Sequence, residues 1–199
     1  MRRSSTLTVS ALALTVTLTL VGCAAGTSSS DSSSSSSSAP SQASTLDAAP
    51  ATGPTIEGDG YSYAVPEGWE QQDSAIAAGA DTIALDMAST GDFATNVNVV
   101  LSPAGLLTAD EVESFAGDEL EAGGATDVEI LDRVIVGGSE SAHVTAALVA
   151  SDVAYRIHQY YASSATQTYV ITFSFSEDVV SDDDALAIAE SVLASWAWL

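Results

Sequence analysis

The chain has 199 residues, of which 46% are hydrophobic, and its single cysteine excludes an internal disulfide. It contains no lysine, and beyond residue 22 its 27 acidic residues are opposed by two arginines, which leaves a formal charge of −25. Such a surface repels phosphate backbones and anionic lipid headgroups, which excludes nucleic-acid binding and electrostatic adsorption to a membrane as main functions.

Residues 1–22 are predicted to be a lipoprotein signal peptide. A pair of arginines at positions 2 and 3 is followed by an apolar segment, residues 7–20, which is shorter than the roughly 20 residues that a transmembrane helix needs. The segment ends in Leu20-Val21-Gly22-Cys23, which resembles the lipobox of bacterial lipoproteins. The resemblance implies that Cys23 becomes the new N-terminus and carries diacylglycerol. Two acyl chains then hold the protein on the extracytoplasmic face of the cell membrane.

Residues 23–55 are predicted to form a disordered tether. Serine runs such as Ser32–Ser38 and prolines at positions 40, 50 and 54 dominate this segment. Such a composition cannot bury enough apolar area to offset the entropy lost on ordering. A flexible coil of this length reaches about 30 Å. The remaining residues, 56–199, have the usual size of one domain.

The domain is predicted to begin with short strands. Tyr61, Tyr63 and Val65 alternate with smaller residues, which is typical of a half-buried strand. The segments 83–87 and 93–101 alternate in the same way on either side of Thr90-Gly91-Asp92, which predicts an antiparallel pair.

Two helices are predicted later in the chain. Thr108-Ala109-Asp110-Glu111 matches a capping box, and Gly123-Gly124 provides the backbone freedom that ends a helix. The run from Ser181 to Asp184 places negative charge where a helix start favours it, and apolar residues follow at helical spacing up to Trp196.

A four-stranded meander is predicted between the helices, with turns at Gly137-Gly138 and Ala150-Ser151. The predicted strands occur in runs, with one helix between them and one at the end, which indicates an α+β domain with an antiparallel β-sheet flanked by helices. The segments that form the meander are 128–136, 142–148, 153–161 and 169–175.

Several of these segments match a known pattern. The stretch Gly60–Trp69, the helix from residue 108 to 124, Val136-Gly137-Gly138, Tyr169–Phe173 and the terminal 189–196 occur in the order seen in PsbP-like domains. Residues 57–199 thereby resemble that fold, and particularly the LpqN-type lipoproteins, although the lysine-free surface departs from members of more mixed charge. The resemblance implies an α-β-α sandwich and a non-enzymatic accessory protein, without shared catalytic residues.

Two histidines are candidate metal ligands. A turn at Ala150-Ser151 pairs Leu148 with Val153 and therefore places His143 opposite His158. Two imidazoles suit Zn²⁺ or Cu²⁺, but no third ligand is identifiable, and a polar sheet face under a helix or loop is the favoured interpretation. The acidic residues 182–184 lack the spacing of an EF-hand loop, and helix capping explains them more simply. No metal or cofactor is predicted.

A serine hydrolase is an alternative function. It would use Ser139 or Ser141 with His143 or His158. However, the segment from Gly137 to Ser141 lacks the final glycine of a nucleophile elbow and lies between two strands, whereas the elbow needs a strand-to-helix turn. The turn of a hairpin is therefore favoured, and no catalytic residue is predicted.

Four aromatic residues are candidates for lining an apolar ligand cavity: Trp69, Tyr155, Trp196 and Trp198. Aromatic residues at strand and helix spacing also form plain core, and the sequence leaves both interpretations open. The sequence thus predicts a lipid-anchored, non-enzymatic module that binds an envelope lipid, a small ligand or a membrane-protein partner. A hydrolase and a metal-binding lipoprotein are the alternatives, and the oligomeric state is not indicated.

Overall fold

The computed structural model describes residues 43–77, 79–89 and 93–199. The signal peptide, Cys23, the tether up to residue 42 and the turn predicted at residues 90–92 lie outside these ranges. The described part forms two β-sheets and two α-helices, which confirms the α+β class. Within it, no helix is both long and apolar enough to cross a membrane.

The strands of the described residues divide between a sheet of eight and a sheet of three. In chain order they are β1 (Ser44–Thr45), β2 (Thr55–Gly58), β3 (Tyr61–Ala64), β4 (Trp69–Gln71), β5 (Thr82–Asp86), β6 (Asn96–Leu101), β7 (Thr126–Val136), β8 (Ser139–Ala150), β9 (Val153–Ser163), β10 (Thr168–Ser176) and β11 (Ala197–Trp198). The large sheet has the order β1-β7-β8-β9-β10-β6-β5-β4, and the small sheet has the order β11-β3-β2. The pairs are antiparallel except β1 and β7, which run parallel.

Both predicted helices form, and their caps explain where they begin. Helix α1 (Ala109–Ala122) starts with the capping box: the Glu111 amide donates to Thr108 Oγ1 at 3.2 Å, and the Thr108 amide donates to Glu111 Oε2 at 2.8 Å. Helix α2 (Asp182–Leu193) starts at Ser181, whose hydroxyl accepts from the Asp184 amide at 3.2 Å.

The helices cover opposite faces of the large sheet, which gives three layers. Helix α1 packs on one face through Val112, Ala116 and Leu120, and its core is largely aliphatic. Helix α2 and the small sheet share the other face, whose core is rich in aromatic residues. The predicted meander is confirmed as β7 to β10, and the predicted pair of strands is confirmed as β5 and β6.

The folded part begins before residue 56, so the structure corrects the predicted tether of residues 23–55 over its last part. Ser44 pairs with Val134, the Ala51 amide donates to the Ser191 carbonyl at 2.8 Å, and the Gly53 amide donates to the Val65 carbonyl at 2.9 Å. Leu46 and Ala51 also pack against the aromatic core. These two apolar side chains are partly buried against the core. The average composition of the serine-rich segment, from which disorder is predicted, does not reveal them. We call residues 43–54 the strap.

The hairpin of β8 and β9 turns at Ser151-Asp152, which corrects the predicted turn at Ala150-Ser151. Both turn residues have positive φ, 51° and 67°, as a two-residue hairpin turn of matching twist requires. His143 therefore lies opposite Tyr160, and the predicted opposition of His143 and His158 is wrong. Because the pairing shifts by an even number of residues, each side chain keeps its face, and the histidines are diagonal neighbours.

Candidate functional site

The two histidines meet on the face of the large sheet that α2 shares with the small sheet. Nε2 of His143 lies 3.0 Å from Nδ1 of His158, and the two residues are 3% and 5% exposed. His143 stacks on Tyr160 with ring centroids 4.0 Å apart, and His158 meets the edge of Phe175 at 6.1 Å. The pair is thus part of the core and has little contact with solvent.

Both imidazoles are held neutral. Burial, with a smaller contribution from the proximity of His158, lowers the pKa of His143 to about 3. Burial also lowers the pKa of His158, with Arg156 acting in the same direction and Asp182 opposing it. Two neutral imidazoles share one N–H in their hydrogen bond, and Nε2 of His158 has no partner among the described residues. Whichever tautomer forms, that ring nitrogen is left with an unused donor or acceptor.

The geometry of the described residues does not favour either alternative function, metal binding or serine hydrolysis. No group of three His, Cys, Asp or Glu side chains that could hold a metal ion occurs in the described ranges. Ser141 is fully buried, and its hydroxyl donates to the Ala142 carbonyl at 3.3 Å. Gly137 and Gly138, at φ 56° and 86°, form a hairpin turn that leads directly to Ser139. A nucleophile elbow would need a helix at that point.

The four aromatic candidates are not brought together. Trp69 is buried in the core beside α2, whereas Tyr155 lies on the α1 face, where it stacks on Phe93 at 4.9 Å. Trp196 and Trp198 do adjoin, with ring centroids 5.5 Å apart. A shared cavity lined by all four is therefore not formed.

Trp196 belongs to an aromatic stack. It lies parallel to Tyr61 at 4.5 Å and to Tyr63 at 5.6 Å. The Tyr61 hydroxyl donates to Asp81 at 2.8 Å, and both tyrosine hydroxyls contact Thr82 Oγ1, at 2.9 and 3.1 Å. Burial raises the pKa of Tyr63 to about 12, so this hydroxyl stays protonated. The tyrosine end of the stack is thus fully hydrogen-bonded.

The indole nitrogens of the two adjoining tryptophans differ in their hydrogen bonding. Trp198 Nε1 donates to the Gly137 carbonyl at 2.9 Å. Trp196 Nε1 is shielded from solvent and has no partner in the described part of the chain. A buried indole N–H usually donates a hydrogen bond to an acceptor, and Trp196 Nε1 lacks one among the described residues.

An open groove of about 490 Å³ runs beside Trp196, between the strap, the β7–β8 turn and the end of α2. The sequence does not predict the groove, because it assigns the strap to the tether. Leu46, an isolated large apolar residue in that polar segment, is the one signal for it. The lining residues are Thr45, Leu46, Ala48, Pro50, Ile135, Gly137, Gly138, Leu193, Ala194 and Trp196.

A second, more polar depression of about 360 Å³ lies at the start of α2. It is lined by Arg156, Glu177, Val180, Ser181 and Asp182. Arg156 lies 3.4 Å from Glu177 and 3.5 Å from Asp182, so its positive charge is already engaged by carboxylates.

Arg133 is likewise paired with carboxylates, at the start of α1. Its guanidinium donates to Glu113 at 2.6 Å and to Glu140 at 3.3 Å, and it also contacts Asp110. The two arginines beyond residue 22 therefore each join the first turns of a helix to the sheet. Neither contributes an isolated positive charge to the acidic surface.

No protein-family model and no curated protein sequence matches this chain. Two solved structures resemble its fold at low identity. One, from Bacteroides thetaiotaomicron VPI-5482, is 14% identical with a TM-score of 0.43, and the match covers 70% of this chain but only 45% of that one. The other, LpqN of Mycobacterium tuberculosis, is described as involved in cell envelope biogenesis. It is 12% identical with a TM-score of 0.48, and the match covers 71% of this chain and 85% of LpqN. The chain is distantly similar in fold to these proteins, and neither likeness indicates what it binds.

Proposed function

We propose that this protein is an extracytoplasmic lipoprotein, anchored through diacylglycerol on Cys23, whose domain is a non-enzymatic binding or accessory module of the cell envelope. Its partner is an envelope lipid, a small ligand or a membrane protein. The sequence Leu20-Val21-Gly22-Cys23 supports the anchor. The resemblance of residues 57–199 to the LpqN-type lipoproteins supports the accessory role.

The burial of the reactive side chains is the observation that carries the non-enzymatic interpretation. Ser141, His143 and His158 are 0%, 3% and 5% exposed, so a substrate cannot reach them without opening the sheet core. A nucleophile and its base must lie within hydrogen-bond reach of each other and of the substrate. Ser139, in the hairpin, is the remaining member of the alternative set and is partly exposed, whereas the hydrogen-bond partner found for His143 among the described residues is His158.

The anchor also fits the electrostatics of the chain. With a charge of −25 beyond residue 22, the domain has no attraction of its own for anionic lipid. Two acyl chains on one cysteine hold a protein at a bilayer independently of its surface charge. Membrane location is therefore expected to depend on Cys23 alone.

Cell fractionation tests the anchor. In the producing cell, Cys23→Ala is expected to move the protein from the membrane fraction to the soluble exported fraction, while Ser38→Ala in the tether leaves it on the membrane. Retention of the Cys23→Ala protein on the membrane would contradict the proposed anchor.

Activity assays and mass spectrometry test the module. Protein purified from membranes is expected to show no esterase activity that depends on Ser139, Ser141 or His143. Native mass spectrometry is expected to show a non-covalent lipid, small ligand or protein. An esterase activity that Ser139→Ala abolishes would establish the hydrolase instead, and a bound metal ion lost in His143→Gln would establish the metal-binding alternative.

A further inference from the structure

Trp196, which lines the groove, carries a buried hydrogen-bond donor without an acceptor in the described ranges. Trp196 is 6% exposed, and its Nε1 has no partner among the described residues, whereas Nε1 of the adjoining Trp198 is paired. An indole nitrogen donates and cannot accept. The missing partner is therefore an acceptor such as an oxygen atom.

The edge of the indole that carries this donor lies at the groove. A Cβ placed on Gly137 would lie 3.0 Å from Trp196 Cδ1, the ring atom bonded to Nε1, and 2.6 Å from Trp198 Nε1. Gly137 lines the same groove. Glycine is thus required at this position, both for its positive φ and because any side chain would press on the two indoles.

The groove walls carry no charge. Its lining includes no acidic or basic residue, although the chain beyond residue 22 contains 27 acids. The groove, of about 490 Å³, is open to solvent, and Leu46, Pro50, Ile135 and Leu193 supply the apolar part of its mixed polar and apolar surface. A matching ligand is uncharged, partly apolar, and provided with one acceptor oxygen.

We propose that this groove binds the ester end of an uncharged acyl lipid. The ester carbonyl accepts a hydrogen bond from Trp196 Nε1, and the first methylenes of the chain lie against the apolar walls. This assignment names the ligand class of the binding module and therefore rests on the proposed function.

The strap is the wall that admits the ligand. Because Trp196 Nε1 is shielded from solvent, a neighbouring part of the wall must move before an acceptor reaches it. The strap is joined to the domain by the two residue pairs of β1 and by the amides of Ala51 and Gly53. The other two walls belong to the long β7–β8 hairpin and to α2, which are fixed by a sheet and a helix.

Calorimetric titration of the exported Cys23→Ala chain, which has no acyl chains of its own, tests the assignment. The probes are 1-octanoylglycerol, its ether analogue 1-O-octylglycerol, which lacks the carbonyl, and octanoate, which has the same chain and a negative charge. Saturable binding of one 1-octanoylglycerol per chain is expected, with the ether about tenfold weaker, as for one lost hydrogen bond, and no measurable binding of octanoate.

Two pairs of variants locate the site. Trp196→Phe keeps an aromatic ring but removes the donor, and it is expected to weaken 1-octanoylglycerol about tenfold, while Trp69→Phe, away from the groove, leaves the affinity unchanged. Ala48→Asp places a charge on the groove wall and is expected to abolish binding, while Ala49→Asp, next to it and outside the lining, is not. The Ala48 pair keeps the test valid if Trp196→Phe unfolds the domain.

Several results would overturn the assignment. Equal affinity of Trp196→Phe and the parent chain, equal affinity of the ester and the ether, or the absence of saturable binding to any probe would each do so. These failures leave the membrane location through Cys23 untouched, so they can be told apart from a failure of the proposed function.

Discussion

The two faces of the eight-stranded sheet are built from different chemistry. The α1 face is largely aliphatic, and Arg133, buried at its edge, is surrounded by three carboxylates. The α2 face is aromatic and contains the histidine pair. The buried side-chain polar atoms found without a partner in the described ranges all lie on this second face: His158 Nε2, Tyr160 Oη and Trp196 Nε1.

The difference separates two roles. A face whose polar groups are all satisfied contributes stability and responds little to ligands or protons. On a face with unpaired donors and neutral buried imidazoles, binding of an acceptor or of a proton changes the stability of the folded state. The α1 face therefore acts as the scaffold, and the α2 face is the place to look for responses.

Replacing the arginines is the strongest test of this division. Arg133→Met is expected to lower the free energy of unfolding by about 2–4 kcal/mol, because three carboxylates lose the buried cation they share. Arg156→Met is expected to cost less than about 1 kcal/mol, because Arg156 is less buried than Arg133 and lies farther from its two carboxylates, at 3.4 and 3.5 Å. Urea denaturation of the two variants measures both values. Equal losses would remove the distinction between the two faces.

Lowering the pH is expected to reduce the free energy of unfolding through the buried histidine of the α2 face, His143. Burial holds the pKa of His143 at about 3 in the folded protein, well below the value of about 6.5 expected when the chain is unfolded. The folded state then binds fewer protons, so the stability that His143 contributes is complete above pH 6.5 and falls as the pH drops from 6.5 toward 3. The expected loss between pH 6.5 and pH 5 is about 2 kcal/mol.

Denaturation at pH 7, 6 and 5 isolates this effect when the parent chain is compared with His143→Gln. The carboxylates are common to both proteins. The free energy of unfolding of the variant is therefore expected to fall less steeply as the pH is lowered, and the difference in slope corresponds to the uptake of up to one proton on unfolding. Parallel pH profiles would show that His143 is not held neutral.

Two glycine substitutions give the smallest expected effects, of opposite sign. Gly53→Ala would bring a Cβ within 2.4 Å of the Val65 carbonyl oxygen and is expected to detach the strap, at a cost of about 1 kcal/mol. Gly117→Ala, in the middle of α1 with nothing within 4 Å of its Cβ, is expected to add about 0.5–1 kcal/mol. Denaturation gives both values, and faster amide exchange in residues 43–53 reports the detached strap. Unchanged exchange there would mean that the strap tolerates the added methyl group.

Local patterns were sufficient to predict the long elements. The capping box at Thr108, the glycines that end α1 and the alternation of β7 to β10 each carry a signal within a few neighbouring residues. The fold class and the meander follow from those signals.

Features that depend on distant residues could not be predicted in the same way. The β8–β9 turn lacks an Asn-Gly signal, and its predicted position was wrong by one residue. The two histidines nevertheless share a face, because the pairing shifted by an even number of residues. In the small sheet, the alternation of Tyr61 and Tyr63 predicts β3, but β2 and β11, with four and two residues, are too short for a periodicity to identify them. The unpaired nitrogen of Trp196 depends on the strap and on Gly137, which only the folded chain brings beside it.

The position of β11 has a consequence for the order of folding. This strand pairs with β3, and Ser195 Oγ accepts from the Ala64 amide across 131 residues of sequence. The edge of the small sheet, and the aromatic stack behind it, are therefore completed only when residues 195–198 are available. Because this pairing joins residues that are far apart in the sequence, the entropy of closing a long loop must be paid before β11 can contribute, and β11 is expected to dock late in folding.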